Sequence, residues 1–141
     1  MLTRIDHVGI ACKDLAASIE LYTSVMGLTL VSREVHEDQG VREAMLQVAD
    51  APAGTSYVQL LEPLGPDTPV GKFLERRGEG VHHIGYGVAD ITAALASIGA
   101  AGVELIDARP RHGSMGASIA FLHPAGLGGV LTELVQAPPR G

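Results

Sequence analysis

A ten-residue pattern occurs twice in this chain of 141 residues, as IDHVGIACKD near the start and as VHHIGYGVAD past the middle. Each copy alternates as a strand does and ends in an Asp that can cap a following helix. Such a duplication predicts two copies of one supersecondary unit, and neither copy is long enough to bury a four-stranded sheet by itself. We therefore expect the two copies to pack together. The matched positions are His7 with His83, Gly9 with Gly85, and Asp14 with Asp90.

Each half changes its periodicity in the order strand, helix and three further strands. In the first half, Asp14 precedes a helical spacing of apolar residues that ends at Gly27, where a glycine can cap the C-terminus. The second half repeats this order from Asp90 to Gly102. The predicted helices are residues 15–26 and 91–100, and the predicted strands are residues 4–12, 28–36, 41–48, 56–62, 81–88, 103–109, 117–122 and 130–136.

These elements predict an α+β fold in which two tandem βαβββ modules form one curved, eight-stranded mixed sheet with a cleft on one face. We assign residues 1–141 to this single domain. Module one covers about residues 1–64, and module two covers about residues 80–141. The residues between them, 65–79, contain two prolines and are expected to form a linker with one or two helical turns.

The composition restricts the partners of the chain. Its formal charge is −6 and its ten Lys and Arg residues are scattered, so no basic stripe follows a nucleic acid. The single cysteine, Cys12, lies in a strand-like run, which indicates a small buried side chain in a reducing compartment. No apolar stretch is long enough to cross a bilayer. We therefore expect a cytoplasmic protein with a small-molecule substrate, no nucleic-acid or membrane partner and, because the sheet has exposed edges, a homodimeric state.

Alternation within the strands places two histidines and two other polar side chains at equivalent positions. His7 and His83 lie on the same side of their strands as small residues, which leave space above each ring. Gln59 and Glu133 occupy equivalent places in the last strand of each half, within apolar runs. Nitrogen and oxygen donors of this kind suit a divalent first-row metal ion, which would offset the cost of burying them. We therefore predict a metal site formed by His7, Gln59, His83 and Glu133.

Other interpretations of these histidines remain open. A single histidine in a strand is more often part of the core than a ligand, and the symmetric placement of four residues is what favours a metal. His82 is an alternative ligand beside His83, although its match to Asp6 points it outward. Loop, supporting or surface roles are expected for the histidines without a partner in the repeat, which are His36, His112 and His123.

The paired modules resemble the vicinal oxygen chelate superfamily over essentially the whole chain. More narrowly, IDHVGIACKDL, SYVQLLEP, GVHHIGYGVADI, FLHP and GGVLTELVQ are similar to motifs of the methylmalonyl-CoA epimerase family. The resemblance implies that Glu43 is the catalytic base, whereas the residue pattern alone favours a solvated charge at a sheet edge. It also implies a divalent metal ion, with Co²⁺ expected and Mn²⁺, Ni²⁺ or Mg²⁺ as alternatives, on His7, Gln59, His83 and Glu133.

The activity implied by the resemblance is metal-dependent interconversion of (2R)- and (2S)-methylmalonyl-CoA. A glutamate with the ordinary pKa of about 4.3 is too weak a base to remove the C2 proton unless a cation stabilises the enolate. Glu43 would act on one face of C2, and either Glu133 or a water molecule would act on the other. Binding to a metal lowers the basicity of Glu133. The loop RPRHGSMGAS around Ser114 either closes over the substrate carboxylate or is a plain hairpin.

Three other functions fit the same fold. A glyoxalase-type isomerase usually has Glu where this chain has Gln59. An extradiol dioxygenase would use His7, His83 and Glu133, but a fourth ligand would obstruct the sites for dioxygen and catechol. A metal-free module that binds small molecules needs no convergent ligands, so metal binding distinguishes it from the enzymes.

Overall fold

A computed structural model of the chain describes residues 1–139, within which eight strands and three α-helices form. The predicted end of module two, residue 141, lies outside the described residues. The predicted helix at residues 15–26 is divided between α1 and a wider, π-helical turn at Leu21–Val25. The strands are β1 (Leu2–Ala11), β2 (Thr29–His36), β3 (Val41–Gln47), β4 (Tyr57–Pro63), β5 (Gly80–Val88), β6 (Arg111–His112), β7 (Ser118–Leu122) and β8 (Thr132–Gln136). The helices are α1 (Leu15–Glu20), α2 (Pro69–Arg77) and α3 (Ile91–Ala100).

The strands form one mixed sheet in the order β2-β3-β4-β1-β5-β8-β7-β6. β1 pairs with β4 and β5 pairs with β8 in parallel, whereas β3 pairs with both β2 and β4, and β7 with both β6 and β8, in antiparallel fashion. This arrangement confirms the prediction of an α+β fold with two tandem βαβββ modules in one eight-stranded mixed sheet. The chain divides into two compact units: unit one comprises Met1–Asp6 and the chain from His83 onward, and unit two comprises His7–His82.

The predicted strand at residues 103–109 is wrong. Leu105 forms an isolated bridge to Leu122, and the sixth strand is β6, further along the chain. The carboxylate of Asp107 accepts a hydrogen bond from the backbone N–H of Phe121 at 2.9 Å. The side chain of Asp107 thus occupies a backbone N–H that would otherwise be available to a neighbouring strand. Asp often favours loops over strands through such side-chain hydrogen bonds to the backbone.

Strand β2 contains a bulge near its start. Leu30 lies opposite Leu46 of β3, but the next opposed residue is Ser32, so Val31 is an extra residue. Side chains alternate between the two faces of a strand. The extra residue therefore shifts this alternation by one position between the residues before the bulge and the residues after it.

The helix-facing side of each unit forms its largest apolar cluster. In unit two, β3 and β4 pack against α1, and in unit one, β7 and β8 pack against α3. The alternate residues of these strands are therefore left to the opposite face, where the predicted site residues lie. Among the described residues, no helix is both long and apolar enough to span a membrane. The central core residues are Leu15, Ala44, Leu46 and Leu60 in unit two and Leu95, Ala120, Leu122 and Leu134 in unit one.

Both module helices begin at the predicted aspartates. In each unit the Asp carboxylate accepts a hydrogen bond from the N–H three residues later, at 3.0 Å. A side chain from the last strand of the same module accepts a second N–H at 2.9 Å. The first four N–H groups of a helix have no partner within it, so two of them are satisfied here. The donor and acceptor pairs are Ala17 with Asp14, Leu15 with Glu62, Ala93 with Asp90, and Ile91 with Gln136.

Because Asp14 caps α1, its replacement by Ala is expected to lower the free energy of unfolding by about 1 kcal/mol. Asp14→Asn keeps an acceptor at the same place and is expected to remain within about 0.5 kcal/mol of the unsubstituted protein. Urea unfolding followed by circular dichroism measures both values. An Ala variant as stable as the Asn variant would contradict this role of the cap.

Candidate active site

The hydrogen-bond registers place Gln59 and Glu133 at equivalent positions in the two units. In unit two, the parallel pair β1 and β4 sets Gly9 beside Gln59. In unit one, the parallel pair β5 and β8 sets Gly85 beside Glu133. Each polar side chain therefore stands on the face away from the module helix, next to a glycine that has no side chain to cover it.

The four residues predicted as metal ligands are all buried. His7 and His83 lie two positions before the two glycines and therefore share their face. Burial of polar groups to this depth costs free energy unless other partners replace the lost water. The relative exposures are 2% for His7, 3% for His83, 4% for Glu133 and 6% for Gln59.

In unit one, His83 and Glu133 form a close pair. The distance from His83 Nε2 to Glu133 Oε1 is 3.8 Å, which exceeds a hydrogen bond. Two ligand atoms that each lie about 2.0–2.2 Å from one cation are roughly 3–4 Å apart, so this spacing suits a shared ion. Phe121 lies opposite Glu133 in the ladder, and its ring meets the His83 ring edge-on with the centroids 5.5 Å apart. This contact restricts rotation of the His83 ring.

His82, the alternative ligand, packs in a different environment. Its ring meets that of Phe73 in α2 edge-on, with the centroids 5.0 Å apart. Burial lowers the pKa of His82 to about 4, so the ring is neutral at pH 7. His82 thus serves the packing of α2, whereas His83 stands beside Glu133.

In unit two, a hydrogen bond joins Glu43 to Gln59. Gln59 Nε2 donates to Glu43 Oε2 at 2.7 Å. Glu43 is 0% exposed, so the interpretation of this residue as a solvated charge is wrong. Because an ionised carboxylate only accepts hydrogen bonds, the contact directs the amide nitrogen of Gln59 toward Glu43 and its oxygen elsewhere. That oxygen is the atom that a metal ion would use.

His36 is a partner of Glu43 that the sequence did not identify. Its Nε2 lies 3.1 Å from Glu43 Oε1. The signal was present in the predicted strands, because a loop of residues 37–40 between them sets His36 opposite Val41 and brings it diagonally near Glu43. Without that pairing, alternation alone does not relate the faces of two strands.

Ser114 lies in the hairpin that joins β6 to β7 in unit one. It begins a 3₁₀ turn in which Met115 has a φ of 54°, in the left-handed region that few residues other than glycine adopt. The carbonyl of Ser114 accepts a hydrogen bond from the N–H of Ala117 at 3.1 Å. The loop is therefore a locally strained hairpin, and a role of Ser114 toward substrate stays a prediction.

The chain is similar to known proteins along nearly its whole length. The sequence model of the Glyoxalase/Bleomycin resistance protein/Dioxygenase superfamily matches residues 6–121. A solved structure of a methylmalonyl-CoA epimerase in complex with methylmalonyl-CoA and NH4+ is 54% identical, covers 97% of this chain and 96% of its own, and has a TM-score of 0.92.

Two further relatives are similar over comparable lengths. A variant of the Streptomyces coelicolor methylmalonyl-CoA epimerase, solved in complex with 2-nitronate-propionyl-CoA, is 52% identical over 99% of this chain and 100% of its own, with a TM-score of 0.93. The ethylmalonyl-CoA/methylmalonyl-CoA epimerase of Cereibacter sphaeroides is 34% identical over 138 residues, which are 96% of this chain and 99% of that protein.

Proposed function

This chain belongs to the glyoxalase/bleomycin resistance protein/dioxygenase superfamily, and from that premise we propose that it is a methylmalonyl-CoA epimerase. The enzyme interconverts the (2R) and (2S) epimers by moving the proton on C2. The observation that carries the proposal is Glu43, a fully buried carboxylate held by Gln59, in a chain 54% identical to an epimerase solved with methylmalonyl-CoA.

The proposal includes a divalent metal ion. Two imidazole nitrogens, an amide oxygen and a carboxylate oxygen suit a first-row divalent ion, and a donor set without thiolate disfavours structural zinc. Co²⁺ is the ion we propose, and Mn²⁺, Ni²⁺ and Mg²⁺ are alternatives for the same donors. When bound, the ion would stabilise the negative charge that develops on the thioester oxygen as C2 loses its proton. The proposed ligands are His7, Gln59, His83 and Glu133, each of which is buried.

Glu43 is the proposed base. Its burial keeps water from the carboxylate, and the hydrogen bond from Gln59 restricts its orientation, so the base does not need to be reorganised when the substrate arrives. Glu133, or a water molecule beside it, is proposed to donate a proton to the opposite face of C2 after Glu43 has removed the first. We assign the Ser114 turn to the substrate carboxylate, because its strained backbone is of a kind often found where loops contact ligands.

The contact between Gln59 and Glu43 favours an epimerase over a glyoxalase-type isomerase. A Glu at position 59 would set two carboxylates at the 2.7 Å spacing now held by the amide and Glu43. Two carboxylates at that distance cannot both be ionised without strong repulsion. The amide of Gln59 avoids this repulsion, because it donates a hydrogen bond to Glu43 and carries no charge.

We also propose that the protein is a homodimer. Strand β2 lies at one end of the sheet order, and its apolar side chains are exposed. An unpaired apolar edge is a site where another chain can add. The exposed residues are Leu30, Val31 and Val35, at 40%, 45% and 56%.

The activity is tested by proton NMR of methylmalonyl-CoA in deuterium oxide. We expect the C2 proton signal to disappear in the presence of the protein and Co²⁺, and to persist when the protein has been freed of metal by a chelator. Substrate with Co²⁺ and no protein measures the spontaneous exchange. If the protein exchanges the proton no faster than this control, the epimerase is rejected, and the hemithioacetal of glutathione becomes the next substrate to test.

A further inference from the structure

The hairpin turn between β2 and β3 sets two polar residues of β2 on the face that carries Glu43. The turn at residues 37–40 ends at Gly40, whose φ of 68° lies in the left-handed region that favours glycine. It places His36 opposite Val41, and two residues further from the turn Glu34 lies opposite Glu43. Opposed residues of an antiparallel pair share a face, so the three titratable side chains stand together.

The imidazole of His36 lies between two carboxylates. Its Nε2 is 3.1 Å from Glu43 Oε1 and 3.2 Å from Glu34 Oε2. Because carboxylate oxygens accept hydrogen bonds, we place the imidazole proton on Nε2 and assign this nitrogen as the donor. Like charges directly opposite each other destabilise a sheet, and the N–H between them offsets that repulsion.

We propose that His36 is a positioning residue for the base Glu43, an inference that rests on the proposed function. His36 donates to one oxygen of the carboxylate and Gln59 donates to the other. The terminal torsion of a Glu side chain has broad energy wells, so a carboxylate held at one oxygen samples more orientations than one held at both. Loss of the His36 contact would therefore reduce the fraction of time in which Glu43 faces C2.

This role predicts a slower proton transfer and an unchanged affinity for substrate. Residues that orient a functional group through a hydrogen bond typically change activity by about 10–100-fold when removed. His36→Leu removes the donor at similar volume. His36→Gln offers an amide N–H near the place of Nε2 and is expected to restore the rate to within about threefold of the unsubstituted protein.

The experiment measures deuterium exchange at C2 separately on (2R)- and (2S)-methylmalonyl-CoA, at times before appreciable epimerisation. Glu43→Gln identifies the epimer whose proton Glu43 removes. We expect His36→Leu to slow exchange of that epimer by about 10–100-fold, to affect the other epimer by less than about threefold, and to leave KM and the Co²⁺ affinity within about twofold. The matched control is His123→Leu, because this histidine is 43% exposed and pairs with Glu104. The His123→Leu variant should exchange the C2 proton of both epimers at the rate of the unsubstituted protein.

The outcomes separate this inference from the function on which it rests. If the unsubstituted protein shows no metal-dependent exchange at C2, the proposed epimerase activity is rejected. Normal exchange in the unsubstituted protein together with normal exchange in His36→Leu rejects the positioning role alone. Equal slowing of exchange for both epimers, or no recovery in His36→Gln, also rejects the positioning role. His36 would then serve the stability of the hairpin, which the urea midpoints measure. If His36→Leu does not fold, His36→Asn takes its place, since its amide is too short to reach Glu43.

Discussion

Glu43→Gln is expected to slow metal-dependent exchange of the C2 proton by about 10²–10⁴-fold, the range typical for loss of a general base. An amide has nearly the shape of a carboxylate but does not take up a proton near neutral pH. Its oxygen can still accept the hydrogen bond from Gln59, so the fold and the ligand residues should keep their places. We therefore expect unchanged Co²⁺ binding and a free energy of unfolding within about 1 kcal/mol of that of the unsubstituted protein.

The control for this variant is Glu104→Gln, because Glu104 is 70% exposed and lies far along the chain from the proposed base. It carries the same chemical change and should leave the exchange rate unaltered. Exchange in Glu43→Gln within about threefold of the unsubstituted rate would show that another group removes the proton.

His83→Ala is expected to abolish stoichiometric Co²⁺ binding and to reduce exchange to the rate of the metal-free protein. The substitution removes a nitrogen donor and leaves Glu133 buried without the imidazole that stands 3.8 Å away. An ion that binds the folded state alone adds about 2.7 kcal/mol to its stability when the free ion is about one hundred times the Kd. Isothermal titration calorimetry and urea unfolding with added Co²⁺ should both show the loss.

His82→Ala is the matched control, because it removes the neighbouring imidazole. It should bind Co²⁺ with unchanged stoichiometry and unfold at a lower urea concentration, since it loses the contact with Phe73. The reverse pattern, with Co²⁺ binding lost in His82→Ala and kept in His83→Ala, would show that the ligand has been assigned to the wrong histidine.

The duplicated strand pattern was sufficient to predict the modules, because its alternation depends on local residues. Alternation placed Gln59 and Glu133 on the faces away from the helices, and the parallel registers with Gly9 and Gly85 agree with it. Alternation follows from the geometry of the strand backbone and does not require knowledge of the rest of the fold. The metal role of these residues stays a prediction until an ion is measured.

Two features needed three-dimensional information. The repeat predicted a strand at residues 103–109, but the Asp107 side chain accepts a hydrogen bond from the N–H of Phe121, and Leu105 forms an isolated bridge to Leu122. The contact of His36 with Glu43 depends on how two strands pair across a turn, which no single strand reveals. In both cases a hydrogen bond between residues of different segments determines the structure, and the periodicity of a single segment does not reveal such a bond.

The bulge at Val31 separates the part of β2 that carries Glu34 and His36 from the part that begins the strand. The turn at residues 37–40 fixes the register of β2 with β3 from His36 back to Ser32. Before Ser32, the extra residue shifts that register by one position. A related enzyme could therefore lose one residue at this point, and straighten the edge strand, while Glu34 stays opposite Glu43. The start of β2, before the bulge, is thus free to change its length without altering the pairing of Glu34 and His36 with β3. A comparison of such relatives should count residues back from the turn, because residue numbers counted from the N-terminus would pair the wrong side chains.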